Sequence, residues 1–306
     1  MKTLYDIFNF EQFDNLEWVS RQIVEGFITG LHRSPYHGFS VEFAEHRLYN
    51  TGESTKHIDW KLFARTDKLF VKKYEEETNL RCMIALDNSS SMLFPFGDKN
   101  KVNKLSFSVY SAAALIYLLK RQRDAVGLTI FNNEIEFQSH IKLTESHIKL
   151  LYSELNRCLN QSKSDFNKTT NIADTLHLIA ENIHKRSLVI VFSDLFSGNP
   201  DKMFSALEHL RYNKHEVVVF HVTDKQLEQQ LKYDNRPIKF IDMETETEIK
   251  LNPNEIRKYY TDNLSQQISE FKTKCGQYQI DFIEADINEN FREVLIPVLV
   301  KRAAMR

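Results

Sequence analysis

From Asp14 to Leu31 the apolar residues Leu16, Val19, Ile23, Phe27 and Leu31 recur every three or four positions, the spacing of an amphipathic helix. From Gly38 to Phe43 the period changes: Phe39, Val41 and Phe43 alternate, which predicts a half-buried strand. Unbroken apolar runs then mark buried strands. Met83 to Leu86 ends abruptly in Asp87, and Leu188 to Ser193 ends in Asp194. Leu105, Val109, Ala112, Ile116 and Leu119 form one face of a helix, Ala125 to Phe131 is a strand, and Asn132-Asn133 suits a turn into Glu134 to Gln138. Helices are expected at Glu145 to Leu159, Ile172 to His184, Lys202 to Tyr212, Glu255 to Lys274 and Phe291 to Arg302. Further strands are expected at Glu216 to Val222 and Ile280 to Ile283, and Pro237 to Leu251 reads as an inserted hairpin. Strands alternating with helices predict an α/β fold with a doubly wound, mostly parallel sheet flanked by helices. The expected division is an N-terminal helix and β-rich extension over 1–78 and a main domain over 79–306, with an insertion at about 225–255.

Composition narrows the class. The 306 residues suffice for one large domain with an appended piece, and 42% hydrophobic with 27% charged content is that of a globular protein. A formal charge of −2 gives no general attraction to nucleic acid or anionic lipid. Cys82, Cys158 and Cys275 are widely spaced and form no C-x-x-C, so neither a disulfide framework nor a zinc site is indicated. Met1 to Phe13 lacks the pattern of a signal peptide and no stretch has the length of a membrane span, so the expected location is the cytoplasm.

The chemistry gathers where the strands end. Asp87, Ser89 and Ser91 form a D-x-S-x-S pattern that puts one carboxylate and two hydroxyls on a short loop, a hard-oxygen set suited to Mg²⁺ or Mn²⁺. Alone, the pattern favours the plainer reading, serines that cap the next helix. Two later segments change that weighting: Thr169 to Leu176, a polar loop opening into a helix with Thr170 placed to present its hydroxyl, and the strand ending in Asp194. In open parallel sheets ligands gather beyond the carboxyl ends of the strands, at the switch in strand order. The sequence of D-x-S-x-S, Thr and strand-end Asp resembles the metal-ion-dependent adhesion site of von Willebrand factor A domains. That resemblance assigns Asp87, Ser89, Ser91, Thr170 and Asp194 to one divalent cation, Mg²⁺ or else Mn²⁺ or Ca²⁺.

The segment before the first acid carries a second resemblance. Tyr49, Gly52-Glu53, Lys56, Ile58-Asp59-Trp60, Ala64-Arg65 and Leu69 to Glu77 are similar to a run found in the bacterial family called domain of unknown function 58, relatives of von Willebrand A domains. Ser54 and Lys56 depart from that family's usual acid and Arg, and Lys lacks the bidentate fork of Arg. The likeness continues through His221 to Asp224 and Phe240 to Thr245. It implies a non-catalytic, metal-dependent protein-binding module, its cation completed by a partner's acid, working with a MoxR-type AAA ATPase.

Other readings stay open on the sequence. The basic and aromatic stretch Arg47 to Lys73 could stack nucleic-acid bases on Trp60 and Phe63, but Glu53, Asp59 and Asp67 interrupt it, so a solvated or partner-facing hairpin is the better reading. Asp59, Trp60 and Arg65 are its candidate partner-binding residues; His221 and Asp224 are candidates to support the metal ligands from behind. Ser89 stands where aspartyl phosphatases need a second Asp, and no H-E-x-x-H, G-x-S-x-G or phosphate-loop motif occurs. A metal-assisted hydrolase is the alternative function, with Asp174 or Asp224 as its general base. A cation that serves only to stabilise the fold is a third.

Overall fold

The computed structural model describes residues 15–31, 46–48, 60–72, 80–96, 102–160, 171–195, 200–243 and 247–304. The elements in chain order are α1 (Leu16–Leu31), β1 (His46–Leu48), α2 (Trp60–Thr66), β2 (Phe70–Lys72), β3 (Arg81–Asp87), α3 (Lys104–Arg121), β4 (Ala125–Phe131), β5 (Ile135–Gln138), α4 (Glu145–Leu159) and α5 (Ile172–Asn182). There follow β6 (Leu188–Ser193), α6 (Pro200–Tyr212), β7 (Glu216–Thr223), β8 (Ile238–Ile241), β9 (Glu248–Leu251), α7 (Pro253–Gln277), β10 (Asp281–Asp286) and α8 (Arg292–Ala304). The chain divides into two compact units, 29–79 and the remainder.

The larger unit is built on a six-stranded sheet of order β10-β7-β6-β3-β4-β5, parallel except for β5, which runs antiparallel at one edge. The apolar runs do not alternate because both faces are covered. Met83, Ala85, Val189, Val191, Val217 and Val219 pack with Leu176 and Ile179 of α5 and Met203 and Leu207 of α6. The intervening Ile84, Leu86, Ile190, Phe192, Val218 and Phe220 are also fully buried, and on α3 Phe107 stacks on Phe291, next to α8, at 5.4 Å. From β3 the chain proceeds to β4 and β5 on one side; it then returns to β6 on the other and continues outward to β7 and β10. The order therefore reverses between β3 and β6, which makes their carboxyl ends the switch point.

The sequence division at 78/79 keeps the first helix with the extension, whereas its residues up to Ile28 group with the sheet. The cause is the buried stripe Leu16, Val19, Ile23 and Val24, with Ser20 Oγ 3.2 Å from Tyr152 Oη on α4 and Lys120 of α3 paired to Glu17. The insertion holds the antiparallel pair β8–β9. No helix among the described residues is long and apolar enough to cross a membrane.

In the smaller unit β1 and β2 pair antiparallel. The stretch read as a hairpin is not one throughout: α2 lies between the strands, its Trp60 and Phe63 rings meeting edge-on at 6.1 Å, one helical turn apart. The expected strand at Gly38 to Phe43 lies outside the described residues.

At the opposite end of the sheet, Asp124 just before β4 is buried, accepting the backbone N–H of Leu80 at 3.2 Å and a two-pronged contact from Arg302 of α8. Removing one side of a buried pair strands the other charge. Asp124→Ala should therefore destabilise the protein by about 3–5 kcal/mol in denaturant unfolding; a loss below about 1 kcal/mol, the range of an exposed pair, would contradict this role for the pair.

Candidate functional site at the ends of β3 and β6

β3 and β6 deliver their terminal residues side by side because Leu86 is in register with Phe192. Asp87 and Asp194 are both buried there. Asp87 Oδ2 accepts the Ser193 hydroxyl at 2.6 Å, and Oδ1 accepts the backbone N–H of Ser89 at 3.0 Å, closing an Asx-type turn that starts the loop. The Ser89 and Ser91 hydroxyls share a hydrogen bond of 3.1 Å, so both side chains lie together as the chain enters the short 3₁₀ turn Ser90–Leu93. Asn88 N–H bonds Phe131 O at 2.7 Å and holds the loop to the end of β4.

A polar brace runs from this loop to the next. Glu136 accepts from Asn88 Nδ2 at 2.9 Å and from Asn132 Nδ2 at 2.6 Å, while Asn132 O receives the N–H of Asn171 at 2.8 Å. Asn171 caps α5, accepting from Asp174 N with its side chain. The residue that follows Thr170 is thus anchored; Thr170 itself lies outside the described residues, as does Asp59.

Asp194 is met by a residue that sequence reasoning misses. The ammonium of Lys104, the first residue of α3, lies 2.8 Å from Asp194 Oδ2 and 2.6 Å from Glu228 Oε1, with its side chain 1% exposed. Asn103 caps the helix, in a reciprocal box with Ser106, and Lys104 N–H bonds Phe94 O at 2.9 Å. Glu228 sits in the π-type turn Lys225–Gln229. Asp224 caps that turn, its Oδ1 accepting from Gln226 N and Leu227 N, each at 3.0 Å, and from Asn288 Nδ2 at 3.2 Å. Asp224 therefore holds the turn that carries Glu228. A Lys in the first turn of a helix opposes the helix dipole, and that is the sequence signal by which Lys104 could have been found.

The electrostatics follow from burial. Burial, then repulsion from Asp194, pushes the Asp87 carboxyl up to about 6, against the hydrogen bonds from Ser193 and Ser89. Burial works against the Lys104 charge, but Asp194 and Glu228 outweigh it and hold the ammonium above its ordinary range. Burial raises Glu228 despite the attraction of Lys104. His221, at the end of β7, is lowered by burial and stacks on Phe282 at 5.7 Å. It senses Asp194, whose charge favours the protonated imidazole, and Lys104, whose charge opposes it.

The structure thus brings together Asp87, Ser89, Ser91 and Asp194, with His221 beside them and Asp224 one turn removed. Trp60, 60% exposed, and the exposed Arg65 belong to the smaller unit. Among the described residues no three His, Cys, Asp or Glu side chains gather as a metal cluster. The donor set is instead two carboxylates and two hydroxyls, all hard oxygen, which fits Mg²⁺ or Ca²⁺ and not a soft-ligand metal. Two mutually repelling acids are also an environment that a divalent cation relieves.

A family model described as protein of unknown function DUF58 matches residues 45–270. An uncharacterized protein of Mycobacterium bovis is 23% identical over 209 residues, 68% of this chain and 63% of the relative, so the match spans less than two thirds of that protein. The conserved hypothetical protein BatB from Bacteroides thetaiotaomicron is 16% identical with a TM-score of 0.45, over 74% of this chain and 100% of that one. The SpRpn10 VWA domain is 11% identical with a TM-score of 0.35, over 47% and 76%.

A buried acid raised above its unfolded value binds protons more tightly when folded, so stability falls as pH rises from about 4 to about 6. In EDTA, thermal unfolding of the wild type should show this decline, and Asp87→Asn should flatten it and leave the variant the more stable of the two at pH 7. An identical slope in both proteins would place the raised carboxyl elsewhere.

Proposed function

The chain belongs to the DUF58 family of proteins of unknown function, and from that premise we propose that it is a non-catalytic, metal-dependent protein-binding module. The observation that carries this reading is the convergence of Asp87 and Asp194 at adjacent strand ends, with the paired hydroxyls of Ser89 and Ser91 on the same loop. When bound, a divalent cation of the Mg²⁺ type would supply an open coordination position for a partner's carboxylate. The chain's own part is to fix the donors. Ser193 and the Ser89 N–H orient the Asp87 carboxylate, Asn88 ties the loop to β4, and the Asn132–Asn171 bond anchors the start of α5 beside β4.

A MoxR-type AAA ATPase is the partner this reading names, on the strength of the family resemblance, and the cytoplasm is the matching location. The hydrolase alternative gains no support from the geometry. Asp224 is engaged as a helix cap, and Asp174 accepts from Asn171 Nδ2 at 2.6 Å at the start of α5.

The test is capture of a purified MoxR-type ATPase on the immobilised chain in Mg²⁺ and in EDTA. Capture should need the metal. Ser91→Ala, which removes one hydroxyl and spares both acids, should weaken it about tenfold, equivalent to roughly 1.4 kcal/mol. Capture that is indifferent to EDTA and to Ser91→Ala would sink the reading, as would metal-dependent turnover of generic phosphoesters.

A further inference from the structure

Lys104 is the one buried cation seen at this site among the described residues, and it is shared. Its Nζ touches Asp194 Oδ2 at 2.8 Å and Glu228 Oε1 at 2.6 Å, while Glu228 is itself held from behind by Asp224 N–H at 2.8 Å and by the Thr223 hydroxyl at 3.2 Å. A buried ammonium is tolerated only when paired, and a buried carboxylate likewise. Among the described residues, Asp87, Asp194 and Glu228 set three carboxyl groups against one ammonium at this site.

The division of labour follows from the distances. A cation ligated by Asp194 would meet the ammonium across a single carboxyl group, a strong repulsion in a buried site. The ammonium need not leave the protein to relieve it, because a second carboxylate already lies within hydrogen-bond reach of Nζ. Resting on the metal reading above, we propose that Lys104 is the stand-in cation of this site: it neutralises Asp194 in the metal-free protein and passes to Glu228 when a divalent ion takes Asp194. Glu228 is then the residue that makes the exchange possible, and Lys104 the residue that sets metal affinity. Neither belongs to the D-x-S-x-S, Thr and Asp pattern. Both act as positioning residues, through Asp194.

The experiment is Mn²⁺ titration of the full chain, followed by paramagnetic resonance, for wild type, Lys104→Met and Glu228→Gln, with a crystal structure of the wild type grown in Mn²⁺. Lys104→Met, freed of the competing charge, should bind Mn²⁺ at least about tenfold more tightly. Glu228→Gln, which leaves the ammonium no carboxylate to move to, should bind about tenfold more weakly. This second variant keeps the Lys104–Asp194 pair, so it remains informative if Lys104→Met does not fold without metal. In the Mn²⁺ crystal the ammonium should lie on Glu228 and no longer on Asp194. A bound Mn²⁺ with Nζ still against Asp194 Oδ2, or equal affinity in wild type and Lys104→Met, overturns the exchange while leaving the metal reading intact. Absence of Mn²⁺ from all three proteins overturns both.

Discussion

Two carboxyl groups buried at neighbouring strand ends repel each other, and the surroundings of β3 and β6 are arranged around that repulsion. Asp87 is compensated by neutral donors, the Ser193 hydroxyl and the Ser89 N–H, and its proton affinity stays high. Asp194 is compensated by a full charge, and the ammonium that provides it requires a second acid of its own. The sheet explains why the conflict exists at all. Parallel strands covered on both faces present their carboxyl ends together, and the order reverses between β3 and β6, where ligand sites of such sheets form.

The frame is largely legible in the sequence because it depends on local pattern. Ala125–Phe131, Glu145–Leu159 and Leu188–Ser193 begin and end where the pattern of apolar and polar positions places them. Asp87 and Asp194 can be placed together from chain order and the switch-point rule alone. The helix Trp60–Thr66 is not legible: seven residues with mixed aromatics and cations carry too little periodicity to separate helix from turn. Lys104 shows in the sequence only as a cation in the first turn of a helix, a signal that does not name its partners, and nothing in residues 225–229 marks Glu228 as a site residue. Partners 90 and 124 positions apart meet only through the tertiary fold, and periodicity holds no record of that.

Asp224 illustrates the same limit from the other side. Its position after a buried strand draws it into the expected site. In the structure its carboxylate is engaged by two backbone N–H groups and an Asn, and it acts by holding the turn that presents Glu228. A strand-end acid therefore announces location and leaves its role to the hydrogen bonds it makes.

Glu228 lies in the turn that opens the inserted segment, far along the chain from the helix whose first residue it neutralises. This has a bearing on how the molecule assembles. A chain with β3 and α3 but without β6 and the insertion would leave the Lys104 ammonium without Asp194 and Glu228, two carboxylates it pairs with in the folded protein. Closure of the pocket thereby depends on contacts between segments 90 and 124 positions apart in the chain. The insertion, peripheral in the topology, becomes a condition for completing the centre.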